Sequence, residues 1–192
     1  MKQSPIVKIV MIFLLSFGSL GIVIGSFSIN KSSSNTATTE IITDTSQYTK
    51  IRNQRWTDLG QIKHFPLAIP ADAKDINMAY SDSLIQGNSF FQIRFKQSPE
   101  QIKKLFSEYS KKSLRQYRGG NTNDHSNQPK GVPTTFFYTS SIKTESFPNT
   151  YQILVLKAQD QGQAGFKWNH GHSYGVAIDL AASEIVYWAE KW

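Results

Sequence analysis

The residues best suited to chemistry are two histidines in a polar stretch, His170 and His172. On an extended backbone, side chains two residues apart face the same side, so the two imidazoles could share a divalent metal ion such as zinc. A metal site needs a third protein ligand, and no other histidine or carboxylate stands at a diagnostic spacing from this pair. We therefore expect no cofactor, and we keep His170 and His172 as the candidate metal ligands. Together with Trp168 and Asn169, they are the residues that we expect to contact a ligand.

The same stretch contains Gly171-His172-Ser173-Tyr174-Gly175, which satisfies the pattern G-x-S-x-G. This pattern resembles the nucleophile elbow of lipases and esterases in the α/β-hydrolase family, and the resemblance implies that Ser173 would be a catalytic nucleophile. In that family the serine lies between a strand and a helix, and an acid and then a histidine follow it. Here the serine precedes a predicted strand, and no histidine follows His172. A serine hydrolase therefore stays an alternative, as does a metal-dependent hydrolase that uses the two histidines.

The start of the chain predicts a membrane anchor. Lys2 and Lys8 precede an uncharged stretch over residues 9–29. As a helix rising about 1.5 Å per residue, this stretch would span the roughly 30 Å hydrocarbon core of a bilayer. Because positive charge favours the cytoplasmic side, we expect residues 1–8 in the cytoplasm and the rest of the chain outside the cell membrane.

Two features of the anchor leave alternatives open. Residues 23–25 and 26–28 are weak cleavage contexts, so a cleaved signal peptide with a released domain is the alternative to a signal-anchor. Gly21 and Gly25 have the G-x-x-x-G spacing, which would let two such helices pair closely and form a homodimer.

Composition narrows the chemistry further. The chain has no cysteine, which excludes disulfides and thiolate chemistry, and its formal net charge is +7. A basic domain beside a membrane would be attracted to anionic lipid headgroups, to an acidic envelope polymer or to an acidic protein partner. We expect no nucleic acid partner, because an outward domain meets little of it.

The remaining chain divides into a tether over residues 30–50, rich in Ser and Thr, and a folded extracytoplasmic domain over residues 51–192. Alternating apolar side chains predict two paired strands, and Ser98 followed by Pro99 predicts the start of a helix whose other face carries lysines. Arg94 and Lys96 are expected on the solvent face of their strand, where they could extend this basic surface. The predicted strands are near residues 76–80, 91–95, 134–139, 151–157, 174–180 and 185–192, and the predicted polar loops are residues 118–133 and 159–172.

This order of elements predicts an α+β fold. We expect one antiparallel sheet of about five to six strands with one main helix packed on a face, preceded by the N-terminal transmembrane helix. The favoured function is a binding or sensing module at the cell surface that does not catalyse a reaction. Its contact surface would be the two polar loops.

Overall fold

Six strands form one antiparallel sheet in the computed structural model, which describes residues 41–82, 89–120, 139–140 and 147–192. The strands are β1 (Lys74–Ser81), β2 (Ser89–Lys96), β3 (Arg115–Arg118), β4 (Gln152–Asp160), β5 (Gly171–Asp179) and β6 (Glu184–Lys191). Their spatial order is β1-β2-β6-β5-β4-β3, and every neighbouring pair is antiparallel. The predicted α+β fold with an antiparallel sheet is confirmed.

The long helix spans Pro99–Lys112 and begins where the sequence predicts. The side-chain oxygen of Ser98 accepts a hydrogen bond from the backbone nitrogen of Gln101 at 3.2 Å, which satisfies one of the free amides of the first turn. The helix joins β2 to β3 at the far edge of the sheet, so it has to cross one face of the sheet. Ile102 and Tyr109 are buried on its inner side, which confirms the predicted packing on a face.

The segment before β1 also packs on the sheet. Ile42 and Tyr80 exchange backbone hydrogen bonds of 2.9 Å, and the hydroxyl of Tyr48, a buried residue, donates to the carbonyl of Pro66 at 2.6 Å. Residues 41–50, which the sequence assigned to the tether, are therefore folded, because Tyr48 belongs to the core and Ile42 packs against it. The short elements here are a 3-10 turn (Thr45–Gln47), helix α1 (Tyr48–Lys50), a π-helical turn (Ile51–Arg55) and a second 3-10 turn (Leu59–Ile62); the long helix is α2.

Both faces of the central strands are buried, which differs from the expected single buried face. We call the side covered by α2 the helix face; it holds Phe91 and Tyr187 in the larger apolar cluster. The opposite side, the second face, holds Trp188, which is fully buried. Arg94 also lies on the second face and is only 13% exposed, so the expectation that it points to solvent was wrong. Side chains from outside the central strands, such as Phe147, cover it.

The strand β3 was missed by the sequence patterns, and the strand predicted at residues 134–139 lies outside the described residues except for Thr139, which is in a turn. The predicted anchor at residues 9–29 and the glycines Gly21 and Gly25 also lie outside them. In the part of the chain that the structure describes, no helix combines the length and the apolar character needed to cross a membrane.

Candidate functional site

The ligand-binding residues predicted from the sequence lie at one end of the sheet, in and after the loop between β4 and β5. Because β4 continues to Asp160 and β5 begins at Gly171, this loop comprises residues 161–170 and is shorter than predicted. Its two ends are joined by a hydrogen bond of 2.8 Å from the backbone nitrogen of Gln161 to the carbonyl of His170. We refer to it as the 161–170 loop.

The carboxylate of Asp160 fixes the backbone of this loop. One of its oxygens accepts hydrogen bonds from the backbone nitrogens of Gly162 at 2.8 Å and Trp168 at 2.9 Å. These two bonds favour the ionised form and hold the pKa of Asp160 below its usual value. Gly162 is needed here because a Cβ would lie 2.2 Å from the carbonyl oxygen of Phe166. Two backbone amides of the loop thus converge on the side chain of Asp160 and hold the loop in one conformation.

Trp168 is held in an unusual conformation by its neighbours. Its φ of 62° lies in the left-handed region, which costs a bulky residue about 1–3 kcal/mol. The indole nitrogen of Trp192 donates to the carbonyl of Trp168 at 2.7 Å, and the two rings lie 6.1 Å apart. Trp192 is itself fixed by two backbone hydrogen bonds with Gly171, of 2.9 and 3.1 Å. Trp168 is half-buried, so only part of it is free to contact a ligand.

The two histidines are not arranged as an extended pair. Residues 167–170 form turns and bends, so His170 and the neighbouring Asn169 are exposed in the loop, whereas His172 is half-buried on strand β5. No cluster of three or more histidine or carboxylate side chains suited to a metal ion occurs among the described residues. The bend at His170 differs from the extended backbone that the shared-metal hypothesis assumed for the two histidines.

Ser173 does not have the geometry of a nucleophile elbow. It is 1% exposed and lies inside β5, which runs without a break from Gly171 to Asp179 and is followed by a turn and another strand. Its hydroxyl oxygen lies 3.4 Å from the indole nitrogen of Trp188, which donates to it. The serine therefore belongs to the packed second face of the sheet.

His172 is surrounded by charged groups that the sequence patterns did not bring together. It stands directly opposite Lys191 on β6, and Lys157 lies on β4 on the other side of β5. Partial burial lowers the pKa of His172, and the positive charges of Lys157 and Lys191 lower it further, whereas Asp58 acts in the opposite direction. Only the pairing register of three strands reveals this group.

His64 is a second histidine with a defined structural environment. Its ring stacks on Tyr174 at 5.3 Å, and its Nε2 lies 2.9 Å from the carbonyl oxygen of Gly175 and 3.2 Å from that of Trp188. Because both partners are acceptors, Nε2 carries the proton. Burial lowers the pKa of His64 to about 4, although the bonds to the two carbonyls oppose this shift. His64 thus serves as a neutral donor that ties the 3-10 segment to the sheet.

The lysines on the outer side of α2 form a separate basic surface. Lys103, Lys104 and Lys111 are exposed there. Arg94 and Lys96 do not extend it, because they lie on the second face and are each within ion-pair distance of a carboxylate, at 3.7 and 2.8 Å. The continuous basic surface that the sequence suggested is therefore divided by the sheet.

The chain matches no known protein family, and no curated protein or solved structure is significantly similar to it. Its function has to be inferred from the side chains that the fold brings together at the end of the sheet that carries the 161–170 loop.

Proposed function

We propose that this chain is a single-pass membrane protein whose extracytoplasmic domain binds an acidic polymer of the cell envelope. Residues 9–29 would form the anchor, with residues 1–8 in the cytoplasm and the α+β domain outside. This topology is supported by the uncharged stretch of bilayer length and by Lys2 and Lys8 on its N-terminal side. Pairing through Gly21 and Gly25 would add a homodimer to this arrangement.

The observation that carries the binding role is the fixed backbone of the 161–170 loop. Asp160 holds it from inside, while Phe166 is 67% exposed and Asn169 and His170 also face solvent. A loop that is already ordered loses less conformational entropy when a ligand binds. Its exposed tip combines an aromatic ring, on which a sugar ring can stack, with polar groups that can hydrogen-bond to hydroxyls.

An acidic ligand fits the charge of the molecule better than a neutral one. The chain carries a net charge of +7, and Lys157, Lys167 and Lys191 all lie in or beside the loop. Such a cluster raises the local concentration of anions and speeds their association. Neither hydrolase alternative is favoured by the described residues, since Ser173 is packed and His170 and His172 differ in both backbone setting and exposure.

The binding role is tested with the full chain reconstituted in nanodiscs and an array of neutral and acidic polysaccharides. We expect retention on acidic polysaccharides, and we expect the triple variant Phe166→Ala/Asn169→Ala/His170→Ala to bind at least about ten-fold more weakly, because it removes the exposed tip. A triple variant of the helix surface, Lys103→Gln/Lys104→Gln/Lys111→Gln, is the control for basic charge outside the loop and should bind nearly as wild type does. If wild type binds no acidic polysaccharide, or if the loop variant binds equally well, the proposal is wrong.

The topology is tested separately by cysteine labelling, which is direct because the chain contains no cysteine. In intact cells a membrane-impermeant maleimide should label the variant Thr38→Cys, whereas Ser4→Cys should react only after permeabilisation. The mass of the mature chain provides the second measurement. A product that starts near Ser26 or Ile29 would contradict the anchor and leave the binding role as that of a released domain.

A further inference from the structure

We propose that Lys157, His172 and Lys191 form a binding site for one anionic group, a carboxylate or a phosphate, of the ligand. This inference names the ligand chemistry of the proposed binding surface and therefore rests on the proposed function. The site lies on the helix face, at the end of the sheet beside the 161–170 loop. It is built from three adjacent strands, β4, β5 and β6.

The pairing register places the three side chains together. His172 is directly opposite Lys191, and Lys157 is paired with Tyr174, which is two residues further along β5. Because side chains alternate between faces, His172 and Tyr174 share one face, and Lys191 shares it as the partner of His172. On β4 the pairing register shifts between Val155 and Lys157, and beyond this shift Lys157 lies on the face of its partner Tyr174. Directly opposite Cβ atoms are about 5 Å apart and diagonal ones about 7–8 Å, distances that lysine side chains readily span.

The positive charges of this cluster are not neutralised within the described residues. No ion pair joins any of the three side chains to a carboxylate there. The ammonium group of Lys191 lies 3.4 Å from the hydroxyl oxygen of Thr57 and 5.7 Å from the centre of the Trp56 ring. These contacts orient the lysine and leave its charge uncompensated.

One carboxylate lies near the cluster, and its position is explained by its own hydrogen bond. Asp58 caps the 3-10 turn Leu59–Ile62 by accepting from the backbone nitrogen of Gly60 at 2.9 Å. It acts electrostatically on His172 and on Tyr174, whose hydroxyl is the other titratable group facing the site. With two lysines against one aspartate, an added anion would be attracted, and a protonated His172 would contribute a further donor.

The half-burial of His172 adds specificity to this arrangement. A hydrogen bond between an ion and a partly desolvated donor is stronger than one made in open water. An anionic group held between Lys157 and Lys191 would also favour the imidazolium form, so binding of the anion and protonation of His172 would strengthen each other.

The experiment is a titration of the full chain in nanodiscs with inorganic phosphate and, separately, with acetate, at constant ionic strength. The ring proton signals report the pKa of each histidine, and because the chain has four histidines, the variant His172→Gln identifies the signal of His172. We expect saturating phosphate, acetate or both to raise the pKa of His172. The anion that acts at the lower concentration distinguishes a phosphate-bearing from a carboxylate-bearing ligand.

Substitutions at the two lysines test the geometry of the site. We expect Lys157→Gln and Lys191→Gln each to weaken anion binding about ten-fold, because each removes one charge-assisted hydrogen bond. The matched control Lys103→Gln, on the exposed side of α2, should bind as wild type does. If neither anion changes the pKa of His172, or if all three lysine variants behave alike, the site does not exist.

The outcome of this experiment is separable from that of the proposed function. The loop variant Phe166→Ala/Asn169→Ala/His170→Ala should keep the phosphate or acetate response of His172 while it loses polysaccharide binding. If Lys157→Gln loses polysaccharide binding while phosphate or acetate still raises the pKa of His172 as in wild type, the anion site is disproved and the binding role stays intact. An anion response in a chain that binds no polysaccharide would disprove the polymer as ligand and retain the site.

Discussion

The helix face and the second face of the sheet bury their side chains by different means. On the helix face the strands contribute an apolar layer rich in aromatic rings, and α2 covers it with further apolar residues. On the second face a smaller apolar cluster around Trp188 is interrupted by buried polar and charged side chains. The helix face is therefore stabilised mainly by apolar area removed from water, whereas the second face also depends on pairing between buried polar groups.

Phe91 shows how the helix face is held together. It is fully buried, and its ring centre lies 4.7 Å from that of Phe65, 5.7 Å from that of Tyr48 and 5.9 Å from that of Tyr80. Aromatic pairs at these separations add to the gain from burial alone. One ring thus links β2 with β1 and with two of the segments that precede them in the chain.

Glu184 and Arg94 show the contrasting chemistry of the second face. Their side chains are 7% and 13% exposed and approach to 3.7 Å, and the hydroxyl of Tyr151 donates to the carboxylate of Glu184. Burial raises the pKa of Tyr151, as does its bond to Glu184. Nearby, the hydroxyl of Thr139 donates to the amide oxygen of Gln92 at 2.9 Å. Buried charges are tolerated here because partners offset part of their lost hydration.

The largest expected loss of stability comes from a substitution in the core of the helix face. Phe91→Ala should lower the free energy of unfolding by about 4 kcal/mol, since it removes a fully buried ring and leaves a cavity among its aromatic neighbours. Denaturant unfolding of the full chain, followed by tryptophan fluorescence, measures it. Phe166→Ala is the control, because Phe166 is exposed and should change stability by less than about 0.5 kcal/mol. Equal losses in the two variants would refute the distinction between core and surface rings.

The next effect concerns the charged pair of the second face. Glu184→Gln should cost about 3 kcal/mol, because it removes the carboxylate charge that lies 3.7 Å from the buried guanidinium of Arg94. The exposed pair Lys112–Glu108, at 2.6 Å, is the matched control, and Glu108→Gln should cost about 0.3–0.5 kcal/mol. The double variant Arg94→Met/Glu184→Leu should recover much of the loss. A double variant that is as unstable as the sum of its parts would show that the pair is not coupled.

The third effect is a pH dependence of stability caused by His64, a polar side chain among the aromatic rings of the helix face. Its folded-state pKa of about 4 lies below the ordinary value of 6.5, so between these pH values the unfolded chain binds the proton more strongly. The stabilisation is complete above pH 6.5 and is lost as the pH falls toward 4, by about 2–3 kcal/mol. Unfolding measured across this window should show the loss, and His64→Gln, which keeps a donor for the carbonyl of Gly175, should flatten it.

His172 provides the control for the pH experiment. Its pKa is also lowered, chiefly by partial burial, so its contribution has the same sign. Both side chains are half-buried, but the ring of His64 packs against Phe65 and Tyr174 and its pKa is lowered to about 4, so we expect His172→Gln to change the pH dependence less. If His172→Gln flattens the curve and His64→Gln does not, the assignment of the low pKa to His64 is wrong.

Local sequence patterns were sufficient to predict the strands and the helix whose characteristic residues lie close together in the chain. The period-two alternation in β1 and β2 and the capping residue Ser98 before α2 predicted those elements and their order. The strand β3, Arg115–Arg118, was not predicted because Tyr117 is its only apolar side chain. It is an edge strand held by backbone pairing with β4, which leaves no periodic signal in the side chains.

The candidate site was only partly predictable for the same reason. Trp168 and His172 were identified as residues of interest from type and spacing, but the positive φ at Trp168 and the bend at His170 belong to a loop whose backbone is held by hydrogen bonds to Asp160. Lys157 joins the site only through the register of β4 with β5. Contacts between strands that are distant in sequence therefore decide which charged groups meet, and no local pattern contains that information.

The smallest expected effect concerns the attachment of α2, on which the helix face depends. Ser98→Ala should lower the free energy of unfolding by about 1 kcal/mol, because the amide of Gln101 loses its acceptor. Ser98→Asp keeps an acceptor beside the positive end of the helix dipole and should retain wild-type stability or exceed it slightly. Ser107→Ala, at an exposed position of the same helix, controls for loss of a hydroxyl. The cap belongs to α2, which packs on the helix face and not on the second face. The losses of unfolding free energy from Ser98→Ala and from Glu184→Gln should therefore add in the double variant. Clear non-additivity would mean that the two faces are coupled through the sheet.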